Sequence, residues 1–393
     1  MTKFEQSNAA ATFCIACLLV STSSARGCKE HANHASVWTE QIDRDLRPFR
    51  AGITSQKVDQ SARLGDFRIV IKDNALYVGP GKSSAVNVAD LDHAVLMMIA
   101  KSLCYHKTED VDFVLNLGDS PLLRSNTSGD RLPMLSWSRG EGYDDIFFPY
   151  WSFTWLHPVP ASFQQPEWAL KRNIAVWRGS TTGGIWTEPL WRNLTRAKLS
   201  RMCNARPDLC DAKINGYVQG GETIQETIRS ELGSAPEMTT QELCAHKYII
   251  VVEGNGPASS RLVHLLRHCR SVLLVQETPL RLFWMAEFQP FVHYVPIAEN
   301  LEDLYDRIEW ARRNEDIAQR IATNAHEFAL KHLNDGFVSR YVNELFRTYA
   351  GLLKFDVQVP QDMHRVPAST DGWHHFFQYM GGRCQHLSLP ENN

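Results

Sequence analysis

Neither sign of charge is in excess in this sequence of 393 residues. Its 41 lysines and arginines are balanced by 44 aspartates and glutamates, which gives a formal net charge of -3. Proteins that bind nucleic acid over a broad surface usually carry a basic excess, so we expect no nucleic-acid partner. With 44% hydrophobic and 22% charged residues, the composition also excludes a disordered or fibrous protein, and the length allows two or three domains.

Long hydrophobic runs are absent as well. The apolar run from Ala9 to Val20 is shorter than the ~20 residues that a transmembrane helix needs. It follows Lys3 and precedes Ser23-Ser24-Ala25, an order typical of a secretory signal peptide and its cleavage site. We therefore predict a signal peptide over residues 1–25, no stable membrane span, and a location in the lumen of the endoplasmic reticulum or Golgi. An irregular N-terminus of a soluble protein is the alternative.

Closely spaced cysteine pairs are missing after residue 25. None of the seven remaining cysteines is spaced as C-x-x-C, so a structural zinc site is not expected. In an oxidising compartment we expect some of them to form disulfides, and their odd number leaves at least one thiol. Two N-x-S/T sequons predict a glycoprotein. The cysteines are residues 28, 104, 203, 210, 244, 269 and 384, and the sequons begin at Asn126 and Asn193.

Several common site motifs are also absent. The sequence has no G-x-S-x-G, which removes support for a nucleophile-elbow hydrolase, and neither a P-loop lysine nor a G-x-G-x-x-G fingerprint. Asp110-Val111-Asp112 matches a D-x-D pattern that holds a divalent ion in some nucleotide-sugar enzymes. It precedes its strand, at the end of a sheet where ligands do not bind, so we interpret it as a solvated turn. We expect no metal site.

Strands and helices alternate through the second half of the chain, at a spacing typical of right-handed parallel βαβ units. The first half gives a weaker form of the same pattern. We therefore predict an α/β protein with two Rossmann-like lobes facing each other across a cleft. The predicted strands are 67–71, 76–78, 112–117, 175–177, 248–252, 271–275 and 292–296, and the predicted helices are 91–104, 189–202, 259–269, one near 280–287, and long helices over 300–353.

Polar loops follow three of these strands, at the carboxyl ends where ligands bind in open parallel sheets. Asp119, in the first loop, is a candidate general base, or else a residue that caps a turn before Pro121. The second loop, Arg178–Gly184, has the small residues that let backbone N–H groups approach an anion. A simple strand-to-helix turn would have the same composition.

The third loop, Gly254–Arg261, leads into a helix. The free N–H groups of the helix N-terminus and the guanidinium of Arg261 converge there, which suits a diphosphate. An ordinary surface position for Arg261 is the alternative. A cation in the first helical turn opposes the helix dipole, however, and this favours a bound anion at the loop.

Together, and in this order, these segments resemble glycosyltransferase family 90, which includes the Rumi-type protein O-glucosyltransferases and the fungal capsule-associated xylosyltransferases. The resemblance covers about residues 110–350. Two departures concern the choice of acceptor and sugar: Gly118 stands where the family often has arginine, and Leu282-Phe283-Trp284 replaces an acidic-aromatic run. The matching segments are the strand with Asp119-Ser120-Pro121, Trp177–Gly184, His246–Arg261 and Pro290–Pro296.

The resemblance implies a GT-B fold and inverting transfer from a UDP-sugar, with no obligatory metal and no other cofactor. It implies that Asp119 takes the proton of the acceptor hydroxyl. Family members also have a cysteine pair placed like Cys244 and Cys269, which bracket the third loop at a separation compatible with a disulfide. The donor-binding residues that the resemblance implies are Ser180, Arg192, Gly256, Ala258, Ser259 and Arg261.

The expected function is therefore transfer of glucose or xylose from UDP-glucose or UDP-xylose to a hydroxyl group of a protein serine or a glycan. One alternative is a retaining or phosphorylase-like enzyme of the same fold. Another is a catalytically silent protein that binds sugar nucleotides or glycans. The expected domains are the signal peptide (1–25), an acceptor-side lobe (26–170), a UDP-sugar-binding lobe (171–350) and a final segment that packs on the first lobe (351–393).

Overall fold

The computed structural model describes most of the chain after residue 36. The described residues are 37–79, 88–125, 131–149, 153, 159–160, 162–257, 259–366, 376, 378, 380, 384 and 386–387. The predicted signal peptide and the sequon at Asn126 lie outside them. Within these residues no helix has both the length and the apolar character needed to span a membrane.

The described helices and strands are numbered here in chain order. The helices are α1 Val37–Leu46, α2 Ser55–Ala62, α3 Val88–Tyr105, α4 Thr195–Ala205, α5 Glu222–Leu232, α6 Thr240–Cys244, α7 Ser259–His268, α8 Leu304–Arg313, α9 Glu315–His332 and α10 Asp335–Ala350. The strands are β1 Phe67–Lys72, β2 Ala75–Val78, β3 Val111–Asn116, β4 Leu135–Ser136, β5 Ser138–Gly140, β6 Ile146–Phe147, β7 Arg172–Ser180, β8 Cys210–Gly216, β9 His246–Val251, β10 Val272–Gln276, β11 Leu280–Leu282, β12 Val295–Ile297 and β13 His364–Val366.

The second half of the chain forms a parallel sheet of five strands in the order β12-β10-β9-β7-β8. This confirms the parallel βαβ units predicted from the spacing. The chain leaves β7 toward β8 on one side and then returns to place β9 on the other side. The strand order therefore reverses between β7 and β9, and such a switch point opens a crevice where ligands bind in doubly wound sheets.

The first half forms a six-stranded sheet in the order β13-β2-β1-β3-β4-β6. The predicted hairpin is present as β1 and β2. Strand β1 is antiparallel to β3, whereas β3, β4 and β6 are parallel, so the sheet is mixed instead of a second set of βαβ units. Strand β13 adds to its edge beside β2. Strands β5 and β11 pair separately, as a small antiparallel ribbon between the two halves of the chain.

Alternation along β9 shows how the two halves share their packing. Every residue of β9 is buried. Ile249 and Val251 join a core that also contains Ile69 and Phe113 of the first sheet. Tyr248 and Ile250 face the other way, into a second core under α4, α5 and α8. The parallel sheet is thus covered on both faces, as its nearly continuous apolar strands require.

Two parts of the second half differ from the prediction. The helix predicted near 280–287 is not formed, because Leu280–Leu282 pairs with Ser138–Gly140 as β11 and the chain continues in turns. Strand β8 was not predicted, since its apolar residues alternate with polar ones at the edge of the sheet and form no continuous run. Tertiary pairing decides both segments, and local sequence does not reveal it.

Three disulfides join the described cysteines. The predicted bond between Cys244 and Cys269 is present, with a Cα–Cα distance of 4.9 Å. A second bond, between Cys203 and Cys210, ties the end of α4 to the start of β8. The third, between Cys104 and Cys384, ties the C-terminal segment to α3. Cys28 lies outside the described residues.

Candidate functional site

Two of the predicted loops meet at the switch point between β7 and β9. The Gly183 N–H donates to Asn255 Oδ1 at 3.0 Å. Gly183 has a φ of +87°, and a Cβ on it would lie 3.0 Å from the carbonyl oxygen of Gly254. Glycine is therefore needed there both for the backbone angle and for the close approach of the two loops.

The first predicted loop, which carries Asp119, reaches the same place from the first sheet. A Cβ added to Gly256 would lie only 2.4 Å from the backbone oxygen of Asp119 and 3.2 Å from its Cβ. The backbones at these two positions are therefore in direct contact, and only a glycine fits between them. The structure thus brings together all three loops that the sequence singled out, although they come from two different sheets.

The side chains of Asn116 and Trp137 hold the backbone of the loop that carries Asp119. Asn116 accepts from the Gly118 N–H at 2.9 Å and donates to the Ser120 carbonyl at 2.9 Å. Trp137 Nε1 donates to the Gly118 carbonyl at 2.6 Å. Asp119 itself is exposed, and no hydrogen bond or ion pair joins its carboxylate to another described residue. Its carboxylate can therefore accept a proton from a bound molecule.

Ser180 ends β7, and its backbone is held by an arginine that the sequence analysis did not single out. Arg196 Nη1 donates to the Ser180 carbonyl at 2.8 Å and to Thr182 Oγ1 at 2.6 Å, and its Nε donates to the Glu253 carbonyl at 2.8 Å. Arg196 thereby links the loops after β7 and β9. Burial and, to a smaller extent, the charge of the nearby Arg261 together lower the pKa of Arg196 to about 10.

Arg261 lies in the first turn of α7 and reaches back across the sheet. Its Nη1 donates to the carbonyl of Arg178 in β7. Loss of water around the guanidinium lowers the pKa of Arg261, an effect that Glu237 partly offsets. Neither Arg196 nor Arg261 forms an ion pair with a carboxylate of a described residue, so two adjacent guanidinium groups remain available for an anion.

The other predicted donor residues lie as follows. Arg192 is ion-paired with Glu188 and Glu231 and stacks on Trp191 at 4.5 Å. Ser259 opens α7 beside Gly256, so the N–H groups of the first turn point toward the loops. Ala258 lies outside the described residues.

A signal for Arg196 was present in the sequence. Helix α4 begins at Thr195, so Arg196 stands in its first turn. This is the unfavourable position for a cation that drew attention to Arg261 in α7. The helix was expected to start near residue 189, where a short 3-10 helix, Leu190–Asn193, precedes it. That difference in the start hid the position of Arg196.

The D-x-D residues have structural partners at the opposite end of their strand. Asp110 pairs with Lys72 at 2.6 Å and accepts from the Asp73 N–H at 2.8 Å. Asp112 is buried and paired with Arg68 at 2.6 Å. Asp110 precedes β3 as expected, but the predicted solvated turn is wrong for Asp112, which is buried within β3 because its carboxylate pairs with Arg68 of β1.

The family comparison and the comparison with individual proteins point to the same family. The sequence pattern named Glycosyl transferase family 90 matches residues 30–374. The O-glucosyltransferase rumi of Drosophila pseudoobscura pseudoobscura is 27% identical over 88% of this chain and 85% of its own length. Protein O-glucosyltransferase 1 of Mus musculus is 25% identical over 85% of each chain.

Two solved structures show low overall similarity to this chain. The crystal structure of TarM has a TM-score of 0.34 and 13% identity, over 52% of this chain and 40% of its own. The Anabaena protein HepE in complex with UDP-glucose has a TM-score of 0.33 and 14% identity, over 46% of this chain and 50% of its own. At these values neither likeness informs the fold or the ligand.

Proposed function

Since this chain belongs to glycosyl transferase family 90, we propose that it transfers a sugar from a UDP-sugar to a hydroxyl group of a protein acceptor, with inversion at the anomeric carbon. The observation that carries the proposal is the contact between Gly256 and Asp119. It places a carboxylate without a structural partner beside the loop that opens α7. A general base for the acceptor and a loop that can bind an anion therefore lie next to each other.

The diphosphate lies, in this proposal, between the loops after β7 and β9. Arg196 and Arg261 provide its positive charge, and Ser180, Gly256 and Ser259 contribute hydroxyl or backbone donors. Arg196 takes the place that the resemblance implied for Arg192, whose charge is already matched by Glu188 and Glu231. Two guanidinium groups and a helix N-terminus neutralise the charge that develops on departing UDP, so no metal ion is required.

The transfer is a single displacement. Asp119 accepts the proton of the acceptor hydroxyl as its oxygen attacks the anomeric carbon, and the bond from that carbon to the UDP oxygen breaks. The products are the glycosylated acceptor and UDP, with the proton on Asp119. The lack of a structural partner for the Asp119 carboxylate favours this reaction over a catalytically silent binding protein.

The names of the relatives, O-glucosyltransferases in both cases, favour glucose over xylose as the transferred sugar.

We further propose that the two large sheets form the two lobes of a GT-B enzyme, with the site at the Asp119–Gly256 contact. Three disulfides support an oxidising compartment such as the endoplasmic reticulum lumen.

Replacement of Asp119 tests the proposal. Asp119→Asn should reduce UDP release by about 10²–10⁴-fold while UDP binds within a few-fold of the wild type, because only the proton acceptor is removed. The assay is UDP release from UDP-glucose, and in turn from UDP-xylose, with a serine-containing protein acceptor. Asp110→Asn, which alters a half-buried carboxylate at the opposite end of the same strand, serves as the control and should keep its activity. An Asp119→Asn variant with more than about a tenth of wild-type turnover would show that Asp119 is not the base.

A further inference from the structure

One carboxylate oxygen beside the proposed diphosphate site has no hydrogen-bond partner among the described residues. Glu253 follows β9 and immediately precedes Gly254. Its Oε1 is shielded from solvent and makes no hydrogen bond with any described residue. Buried carboxylate oxygens are almost always paired, so an orphan of this kind at a ligand crevice indicates a donor that the free protein does not supply.

The backbone of Glu253 is fixed on both sides. Its N–H donates to Gln276 Oε1 at 3.1 Å, and its carbonyl accepts from Arg196 Nε at 2.8 Å. Gln276 is itself held by donating to the Glu299 carbonyl at 2.7 Å. The side chain of Glu253 therefore starts from a rigid position next to the arginine that we assign to the diphosphate.

The charged and polar groups around Glu253 do not provide a hydrogen bond to its Oε1. Burial raises the pKa of Glu253, and the nearby Glu299 raises it further. A side-chain hydrogen bond from Thr278 and the charge of Arg281 act in the opposite direction. Even with these two partners, Oε1 stays without a donor, so a ligand hydroxyl at this point would recover the cost of burying it.

We propose that Glu253 Oε1 accepts a hydrogen bond from a hydroxyl group of the bound sugar nucleotide. The inference rests on the proposed function, because the diphosphate places the ligand there. The phosphate groups carry no donor at neutral pH, so the donors of a UDP-sugar are its hydroxyls and the uracil N3–H. Glu253 adjoins the arginine that we assign to the diphosphate, and the hydroxyls of the two flanking sugars are nearer to the diphosphate than N3–H is. These can come from the ribose or from the transferred sugar, and Glu253 contributes to binding and donor choice in either case.

Binding measured by calorimetry on the full chain separates the two sources. The ligands are UDP, 2′-deoxy-UDP, 3′-deoxy-UDP and UDP-glucose, each titrated into the wild type and Glu253→Ala. If the ribose is the source, the wild type binds UDP about ten- to a hundred-fold more tightly than one deoxy analogue, and the variant loses that preference. If the transferred sugar is the source, the preference of the wild type for UDP-glucose over UDP falls by the same factor in the variant.

Two further variants keep the outcome interpretable. Glu253→Gln preserves the shape and a neutral acceptor, so the same preferences should shrink only several-fold, and this variant replaces Glu253→Ala if the latter does not fold. Glu277→Gln, an exposed carboxylate after β10, is the matched control and should leave all ratios unchanged. Equal ratios in the wild type and the Glu253 variants would overturn the inference about Glu253. Failure of the wild type to bind UDP or UDP-glucose at all would instead overturn the proposed function.

Discussion

At the scale of single residues, the site is defined by charges that the protein leaves unmatched. Arg196 and Arg261 lie side by side, and each donates to backbone oxygens instead of pairing with a carboxylate. Arg178 of β7, in contrast, pairs with Asp211 of the neighbouring strand. Unmatched cations in a crevice are expensive unless an anion binds there, so their position is informative about the ligand.

A pair of arginine variants tests this assignment. Arg196→Ala should weaken UDP binding by about ten- to a hundred-fold, because charge-assisted hydrogen bonds to the diphosphate contribute ~1.5–3 kcal/mol. Arg192→Ala should change it by less than about three-fold, since surface ion pairs contribute little. Calorimetric titration with UDP measures both, and thermal melting of each variant shows that the fold is kept. A larger loss for Arg192→Ala than for Arg196→Ala would restore the earlier assignment from the resemblance.

At the scale of helices and strands, buried polar contacts join elements that are distant in the sequence. Asp45 on α1 is buried, accepts from Gln41 at 2.7 Å and pairs with Arg139 of β5 at 2.5 Å. Its surroundings also include Arg44 on its own helix and the hydroxyl-bearing Tyr341 of α10. Burial outweighs the nearby charges and raises the pKa of Asp45 to about 6.

The raised pKa of Asp45 predicts a pH dependence of stability. Between about pH 4 and pH 6 the folded protein holds a proton on Asp45 that the unfolded chain has lost, so this stabilising contribution falls as the pH rises through 6. Between pH 4.5 and pH 7, the free energy of unfolding of Asp45→Asn should therefore rise by about 2 kcal/mol relative to that of the wild type. Urea denaturation at both pH values measures it. A difference that does not change with pH would show that Asp45 titrates normally.

The disulfide between Cys244 and Cys269 joins the ends of α6 and α7 around the 252–257 loop. Replacing both cysteines by serine should lower the free energy of unfolding by about 3 kcal/mol and also weaken UDP binding, because α7 presents its N-terminus to the diphosphate. The matched control is the double serine variant of Cys203 and Cys210, which join α4 to β8 away from the loops. It should lose stability without losing affinity for UDP. Equal affinity in both double variants would mean that α7 is positioned without its disulfide.

The sequence alone indicates which loops come together better than it predicts the helices and strands around them. The three loops and the Cys244–Cys269 bond have local signatures: small residues after apolar strands, and cysteines at the ends of one βα unit. Strand β11 has no such signature, because Leu280–Leu282 becomes a strand only by pairing with β5, about 140 residues earlier in the chain. Arg196 was missed for a related reason, since its role depends on where α4 begins.

At the scale of the whole molecule, our proposal gives the protein's own groups the role that a metal ion has in other nucleotide-sugar enzymes. The acidic groups of Asp110 and Asp112 are committed to Lys72 and Arg68. We therefore expect UDP release in the presence of EDTA to stay within about two-fold of the untreated enzyme. Manganese added back to the chelated enzyme is the control, and it should produce no recovery. Complete loss on chelation, reversed by manganese, would require a metal site and a different mechanism.

The contact between Gly256 and Asp119 has a consequence for missense mutations in the codon for Gly256. Every amino acid other than glycine brings a Cβ, and at position 256 that atom would overlap the backbone at Asp119. The overlap can be relieved only by moving the base and the donor loop apart, and displacements of about 1 Å can cost 10²-fold in rate. Each missense mutation of this codon, even the conservative one to alanine, is therefore expected to reduce sugar transfer strongly and to weaken UDP binding as well, because Gly256 belongs to the proposed diphosphate site.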